Sequence, residues 1–284
     1  MPPQSNKQGL NDMGVKVIAH RGANKKAPQN TLPAFRQAIA EHTDGFETDV
    51  HLTKDKKLVI CHNYTIDETS DGRGDITSYT LAELKKFDFG SYFGNEFAGT
   101  TLPTLSEFLD LVKDTDAEII NIELKSQKDR STEIVRRTLT EVKEKGVLDR
   151  VIISSFDPRI LKAVKAEEPL CKTAFLYPTN DPFVCRFIAV PFFIAKAIKA
   201  DILHPAYLFV SPAMVKLAHK LGFKVNVWTV DEPSAVRYLV ACGVDGLITD
   251  CPGRTREIID VCEGRKKKNE NESAVRLESG NVQL

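Results

Sequence analysis

Neither sign of charge is in excess in this 284-residue chain, where 39 Lys plus Arg face 39 Asp plus Glu. Without a global field, nothing in the composition favours nucleic acid or an anionic membrane surface, and recognition of an anion has to be local. Paired cysteines are lacking as well. Cys61, Cys171, Cys185, Cys242, Cys251 and Cys262 include no CxxC pair and no Cys/His spacing suited to a metal, so buried free thiols are expected. The opening stretch MPPQSNKQGLNDMG lacks the apolar core of a secretory signal, which leads to the expectation of a reducing, cytoplasmic location. Long apolar runs are also missing. The most apolar stretch, Phe183 to Ile198, is broken by Arg186, Pro191 and Lys196 and falls short of the roughly 20 residues that span a bilayer. No transmembrane segment is expected, and a weak membrane-surface contact through residues 183–198 stays open.

What the chain does have is a repeat of short β-branched runs alternating with amphipathic helical stretches, the pattern of βα units. Eight candidate strands can be counted: Val15 to Ala19, Gly45 to Leu52, Glu118 to Leu124, Arg150 to Ser154, Cys171 to Leu176, Asp201 to Leu203, Lys224 to Thr229 and Gly246 to Ile248. Helical periodicity falls between them at Thr31 to Glu41, Leu105 to Lys113, Thr132 to Lys145, Pro158 to Ala166, Pro212 to Leu221 and Ser234 to Ala241. Start signals precede several of these, with Asp157 before Pro158, Ser211 before Pro212, and Asp231 ahead of Glu232 and Pro233. With 42% hydrophobic and 27% charged residues the chain can bury one large core, and eight units in about 250 residues argue for a closed barrel over an open sheet. The expected fold is therefore α/β, a (β/α)₈ TIM barrel over residues 15–263 with a small inserted subdomain after the second strand, at about 59–103. Residues 1–14 and 264–284 are expected as tails, the latter disordered, and Pro178 to Pro191 as a mobile cover over the barrel mouth.

Barrels of this kind place their chemistry at the C-terminal ends of the strands. Glu47 and Asp49 stand two apart on one strand and so share a face, where two carboxylates in a partly dry site call for a hard cation. Glu123, at the end of the next barrel strand, offers a third oxygen. Three carboxylates suit Mg²⁺ or Ca²⁺ better than zinc, which prefers nitrogen and sulfur. His20 and His62, at two separate strand ends, have the spacing of a general base and a general acid around one phosphorus. His42, His51, His204 and His219 are read as structural. Arg21 and Lys125 place cations beside the acidic cluster, a guanidinium for bidentate contact and an ammonium as a point charge for phosphate oxygens. Gly22 is read as room for a ligand to approach the backbone.

These residues are similar to a known set. His20-Arg21-Gly22, Pro28-Gln29-Asn30-Thr31, Glu47-Thr48-Asp49-Val50 with Thr53, His62, Glu123-Leu124-Lys125, Trp228-Thr229 and the run Asp245 to Asp250 together resemble the glycerophosphodiester phosphodiesterase domain, over about residues 15–262. The resemblance implies metal-dependent cleavage of a small-molecule glycerophosphodiester, such as glycerophosphocholine or glycerophosphoethanolamine, to glycerol 3-phosphate and an alcohol. It also implies a metal at Glu47, Asp49 and Glu123, acid/base catalysis by His20 and His62, phosphate contacts from Arg21 and Lys125, and Trp228 near the substrate. Two positions depart from the pattern: Gln29 stands where a glutamate is usual, and Asn63 where an aspartate is usual. The alternatives are a lysophospholipase D-type lipid phosphodiesterase, favoured by the 183–198 stretch, and a catalytically silent barrel that binds phosphodiesters or another protein. The preferred head group, the physiological metal and the oligomeric state are not legible at this level.

Overall fold

The computed structural model describes residues 14–126, 132–177 and 189–264. The two expected tails lie outside these apart from Gly14 and Gly264, as does most of the expected cover from Pro178 to Pro191. Among the described residues nine strands are formed: β1 (Lys16–His20), β2 (Gly45–Leu52), β3 (Leu58–Ile60), β4 (Ile119–Leu124), β5 (Val151–Ser155), β6 (Lys172–Leu176), β7 (Ile202–His204), β8 (Lys224–Val227) and β9 (Gly246–Thr249). Eight are parallel and run β1-β2-β4-β5-β6-β7-β8-β9, and β9 pairs back onto β1 to close a (β/α)₈ TIM barrel. The barrel strands start and stop within two residues of the bounds expected from β-branched runs.

Strand periodicity sorts the side chains into two layers. Val17, Phe46, Ile120, Ile153 and Leu203 belong to the main hydrophobic cluster, together with helix residues such as Phe35, Phe108, Leu139 and Leu161. Ile119, Ile152, Ala174 and Ile202 have the opposite parity and form a separate small cluster, the apolar base of the barrel interior. Residues two further along the same strands reach the mouth.

The α-helices among the described residues are α1 (Leu32–Ala40), α2 (Leu81–Leu84), α3 (Leu105–Val112), α4 (Glu133–Glu144), α5 (Pro158–Glu167), α6 (Ala189–Ala197), α7 (Pro212–Lys220), α8 (Pro233–Cys242) and α9 (Pro252–Cys262). Local sequence explains their ends. The Thr31 hydroxyl caps α1, Thr104 and Glu107 form a reciprocal capping box at α3, and Ser211 caps α7 ahead of Pro212. At α8 the expected start signal has another use, because Asp231 accepts hydrogen bonds from the Asp250 amide and the Thr249 hydroxyl. No helix among the described residues is long and apolar enough to cross a membrane. In α6, Phe192 and Ala195 are buried while Phe193 is 74% exposed.

Between β2 and α3 the chain leaves the barrel rhythm. β3 pairs antiparallel with the outer half of β2, Val50 opposite Ile60. The following residues fold over their own hydrophobic cluster of Val59, Cys61, Ile66, Ile76, Leu84, Phe89 and Leu102. At the opposite end of the barrel the Val15 amide donates to Glu263 Oε1 at 3.1 Å, so the first and last elements meet.

Candidate active site

Parity and register assemble the mouth. β1, β2 and β4 lie side by side, with His20 level with Glu47, Glu47 with Asn121, and Asp49 with Glu123. Glu47, Asp49 and Glu123 are all buried, and each can bring a carboxylate oxygen within 4.8 Å of the other two. Lys125 Nζ lies 2.7 Å from Asp49 Oδ1 and 2.6 Å from Glu123 Oε1. Arg21 Nε lies 3.3 Å from Asp49 Oδ2 without hydrogen-bond alignment, and the Arg21 backbone amide donates to Glu47 Oε2 at 3.1 Å. Asn30 adds a hydrogen bond to Asp49 Oδ2 at 2.8 Å and is itself held by the Thr48 hydroxyl.

The three carboxylates do not share these cations evenly. Burial works against ionisation of Asp49, but Lys125 and Arg21 outweigh it and hold this carboxyl far below the usual range. Burial, with the Asp49 charge added, pushes Glu47 well above it. Burial lifts Glu123 to about 7 in spite of Lys125. Two of three acids are thus driven toward the neutral form because the protein supplies too little positive charge for all three. A donor set of hard oxygens, buried and short of positive charge, fits a divalent cation of the Mg²⁺ or Ca²⁺ kind.

The two imidazoles are oriented by different partners. His20 Nδ1 is 2.6 Å from Asp250 Oδ1, which also accepts from Asn24 Nδ2 at 2.7 Å, and His20 Nε2 lies 3.9 Å from Glu47 Oε2. His62 Nδ1 is 2.6 Å from Asn63 Oδ1, and Asn63 Nδ2 donates to Glu68 Oε2 at 2.7 Å. Burial lowers both rings below the ordinary histidine value, His62 to about 4. Sequence reasoning gave Asp250 no role, although it stands just past the end of β9, two residues after Ile248, and so continues the parity of the barrel interior. Glu68 and Asn24 carried no signal in the sequence, since both act from loops.

A cavity of about 150 Å³ joins these groups. His20, Arg21, Glu47, His62 and Glu123 line it, together with the apolar Phe156, Leu176, Trp228 and Ile248. The Trp228 indole donates to the His204 carbonyl at 2.8 Å and meets Phe156 edge to face, with ring centroids 5.7 Å apart. Neither Asp49 nor Lys125 is among the lining residues, and Lys125 bridges Asp49 and Glu123. His204, read as structural from the sequence, is fully buried and is one of the residues that line the cavity. His51, also fully buried, has the parity of Glu47 and Asp49 but lies beyond them, its Nε2 3.4 Å from the His62 carbonyl.

Gly22 serves a different purpose from the one expected. At φ +84° it occupies the left-handed region, and a Cβ there would lie 2.6 Å from the Ala34 carbonyl carbon. The missing side chain therefore admits α1 against the end of β1, and the ligand side of this turn is presented by Arg21, itself at φ +56°.

Comparison with known proteins identifies the family. The model of the Glycerophosphoryl diester phosphodiesterase family matches residues 20–254. A glycerophosphodiester phosphodiesterase of Caldanaerobacter subterraneus subsp. tengcongensis is 40% identical over 240 residues, 84% of this chain and 96% of the relative. One from Bacillus altitudinis is 33% identical over 246 residues, covering 86% and 98%. Among solved structures, an Oleispira antarctica phosphodiesterase in complex with the product sn-glycerol-3-phosphate has a TM-score of 0.77 at 29% identity, with 86% of this chain and 96% of that one covered. A Thermotoga maritima glycerophosphodiester phosphodiesterase has a TM-score of 0.69 at 27% identity, covering 87% and 100%. With this fold, this site and these relatives, the chain belongs to the glycerophosphoryl diester phosphodiesterase family.

Proposed function

We propose that the protein hydrolyses glycerophosphodiesters such as glycerophosphocholine and glycerophosphoethanolamine to glycerol 3-phosphate and an alcohol, with Mg²⁺ or Ca²⁺ held by Glu47, Asp49 and Glu123. The observation that carries this reading is a cluster of three buried carboxylates, two of which line one cavity with a guanidinium and two imidazoles, with an ammonium held between Asp49 and Glu123. A bound divalent cation would supply Lewis-acid polarisation of a phosphoryl oxygen. Arg21 then grips a second phosphoryl oxygen, and Lys125 steadies Asp49 and Glu123 while adding positive charge for the transition state. His20, its Nδ1 tied to Asp250, offers Nε2 for proton removal from the attacking hydroxyl or water. His62, in its imidazolium form, gives the proton on Nε2 to the departing alcohol. Phe156 and Trp228 form the wall on which the organic part of the diester rests.

The lipid-directed alternative rested on residues 183–198, which lie partly outside the described residues, and the described part packs as helix α6. The silent alternative has little support from a site in which every expected acid, imidazole and cation is brought together. The discriminating measurement is release of choline or ethanolamine from the matching glycerophosphodiester, with and without EDTA. Release that EDTA abolishes and Mg²⁺ or Ca²⁺ restores is expected, and Glu47→Ala, Asp49→Ala and Glu123→Ala should each lower it by on the order of 100-fold or more while the protein stays folded. Full activity in EDTA would sink the metal assignment, choline release from lysophosphatidylcholine alone would favour the lipid enzyme, and no release from any diester would favour the silent barrel.

A further inference from the structure

We infer that Glu68 is a positioning residue that acts through Asn63 to hold neutral His62 in one tautomer, with its proton on Nδ1 and its lone pair on Nε2. Asn63 has a donor end and an acceptor end, and by itself an amide could turn either toward a histidine nitrogen. Glu68 removes that freedom. Its carboxylate only accepts, and it takes the Asn63 Nδ2 donor at 2.7 Å, a charge-assisted contact. The acceptor end, Oδ1, is thereby committed to His62 Nδ1 at 2.6 Å, and Nδ1 has to be the donor of that bond. In the neutral ring the nitrogen left without a proton is Nε2, and in the imidazolium Nε2 carries the proton that a departing alcohol would take.

The chain thus places a negative charge one residue further from the imidazole than an acid at position 63 would, with an amide between them. The relay is local, since Asn63 and Glu68 are five residues apart, and Glu68 is exposed, so its loss leaves the core intact. Without Glu68 the amide can rotate by half a turn and present its donor to Nδ1, which moves the imidazole proton to Nε2. An acid already stands in for neither group: Asn63→Asp would set a carboxylate against Glu68 at the present contact distance, so any benefit of that change requires Glu68→Gln beside it.

Two-bond ¹H–¹⁵N correlation spectra of ¹⁵N-histidine-labelled protein report the tautomer directly, and His62→Gln identifies the His62 signals among the six histidines. The wild type is expected to show His62 protonated at Nδ1, Glu68→Gln to keep that pattern because it retains an acceptor, and Glu68→Leu to shift it toward protonation at Nε2. A wild type protonated at Nε2, or a Glu68→Leu spectrum identical to wild type, overturns the inference. A kinetic arm rests on the proposed activity: Glu68→Leu should lower kcat on an alkyl diester by on the order of 10-fold with little change in KM. An unchanged kcat counts against the positioning role, whereas absence of hydrolysis by the wild type counts against the proposed activity and leaves the spectra to decide the tautomer.

Discussion

His20 and His62 enter the same cavity with unlike partners, a carboxylate for one and an amide for the other. A carboxylate stabilises an imidazolium more than an amide does, so the two rings should respond differently to the leaving group. If His62 assists departure of the alcohol, His62→Ala should cost roughly 100-fold or more on diesters of poor alkoxide leaving groups and far less on a nitrophenyl diester, which leaves without protonation. His20→Ala should damage both substrates. Equal losses on the two substrates in His62→Ala, measured as kcat/KM, would contradict the division of roles.

At the scale of elements, the turn after β1 shows how a motif's residues divide their labour. Arg21 faces the site, while Gly22 accommodates α1, so Gly22→Ala should act on packing first. The left-handed backbone costs about 1 kcal/mol for alanine, and the 2.6 Å approach to Ala34 backbone adds overpacking of typically 1–3 kcal/mol. A melting temperature lowered by several degrees is expected, together with loss of activity as the Arg21 guanidinium moves, and an unaltered melting curve would refute the packing role. This turn also marks what was legible in the sequence. Parity alone placed Glu47 and Asp49 together, and strand ends picked out His20, Arg21 and Glu123, because strand period and barrel closure are encoded locally. What Gly22 touches was not legible, since it depends on where α1 docks. Glu68 was hidden for a similar reason: a loop carries no period, and its meeting with Asn63 is fixed only by the fold around Ile66 and Ile76.

For the whole molecule, the buried histidines link stability to pH. Burial lowers His204 to about 3 from an ordinary 6.5. Below pH 6.5 the unfolded chain therefore takes up a proton at this position and the native protein does not, so acid favours unfolding through the window down to about pH 3. Glu47 and Glu123, raised by burial, act in the opposite sense above the ordinary glutamate range, which makes the total pH profile a poor readout. A difference isolates the histidine. The stability of the wild type relative to His204→Gln, from urea unfolding, should fall by about 1.4 kcal/mol for each pH unit between 6 and 4. A constant difference over that range would show that His204 is protonated, or free to become so, in the native state.

The hydrogen bond from the Val15 amide to Glu263 carries a consequence for the chain's connectivity. β1 begins, and α9 ends, on the face away from the mouth, so the path between them is short and crosses nothing that the substrate needs. The order in which the eight units are strung together is then separable from the shape they make. A circularly permuted chain, with residues 15 and 263 bridged by a few glycines and new ends opened at Gly146 in the exposed turn after α4, should fold to the same barrel and keep its phosphodiester chemistry.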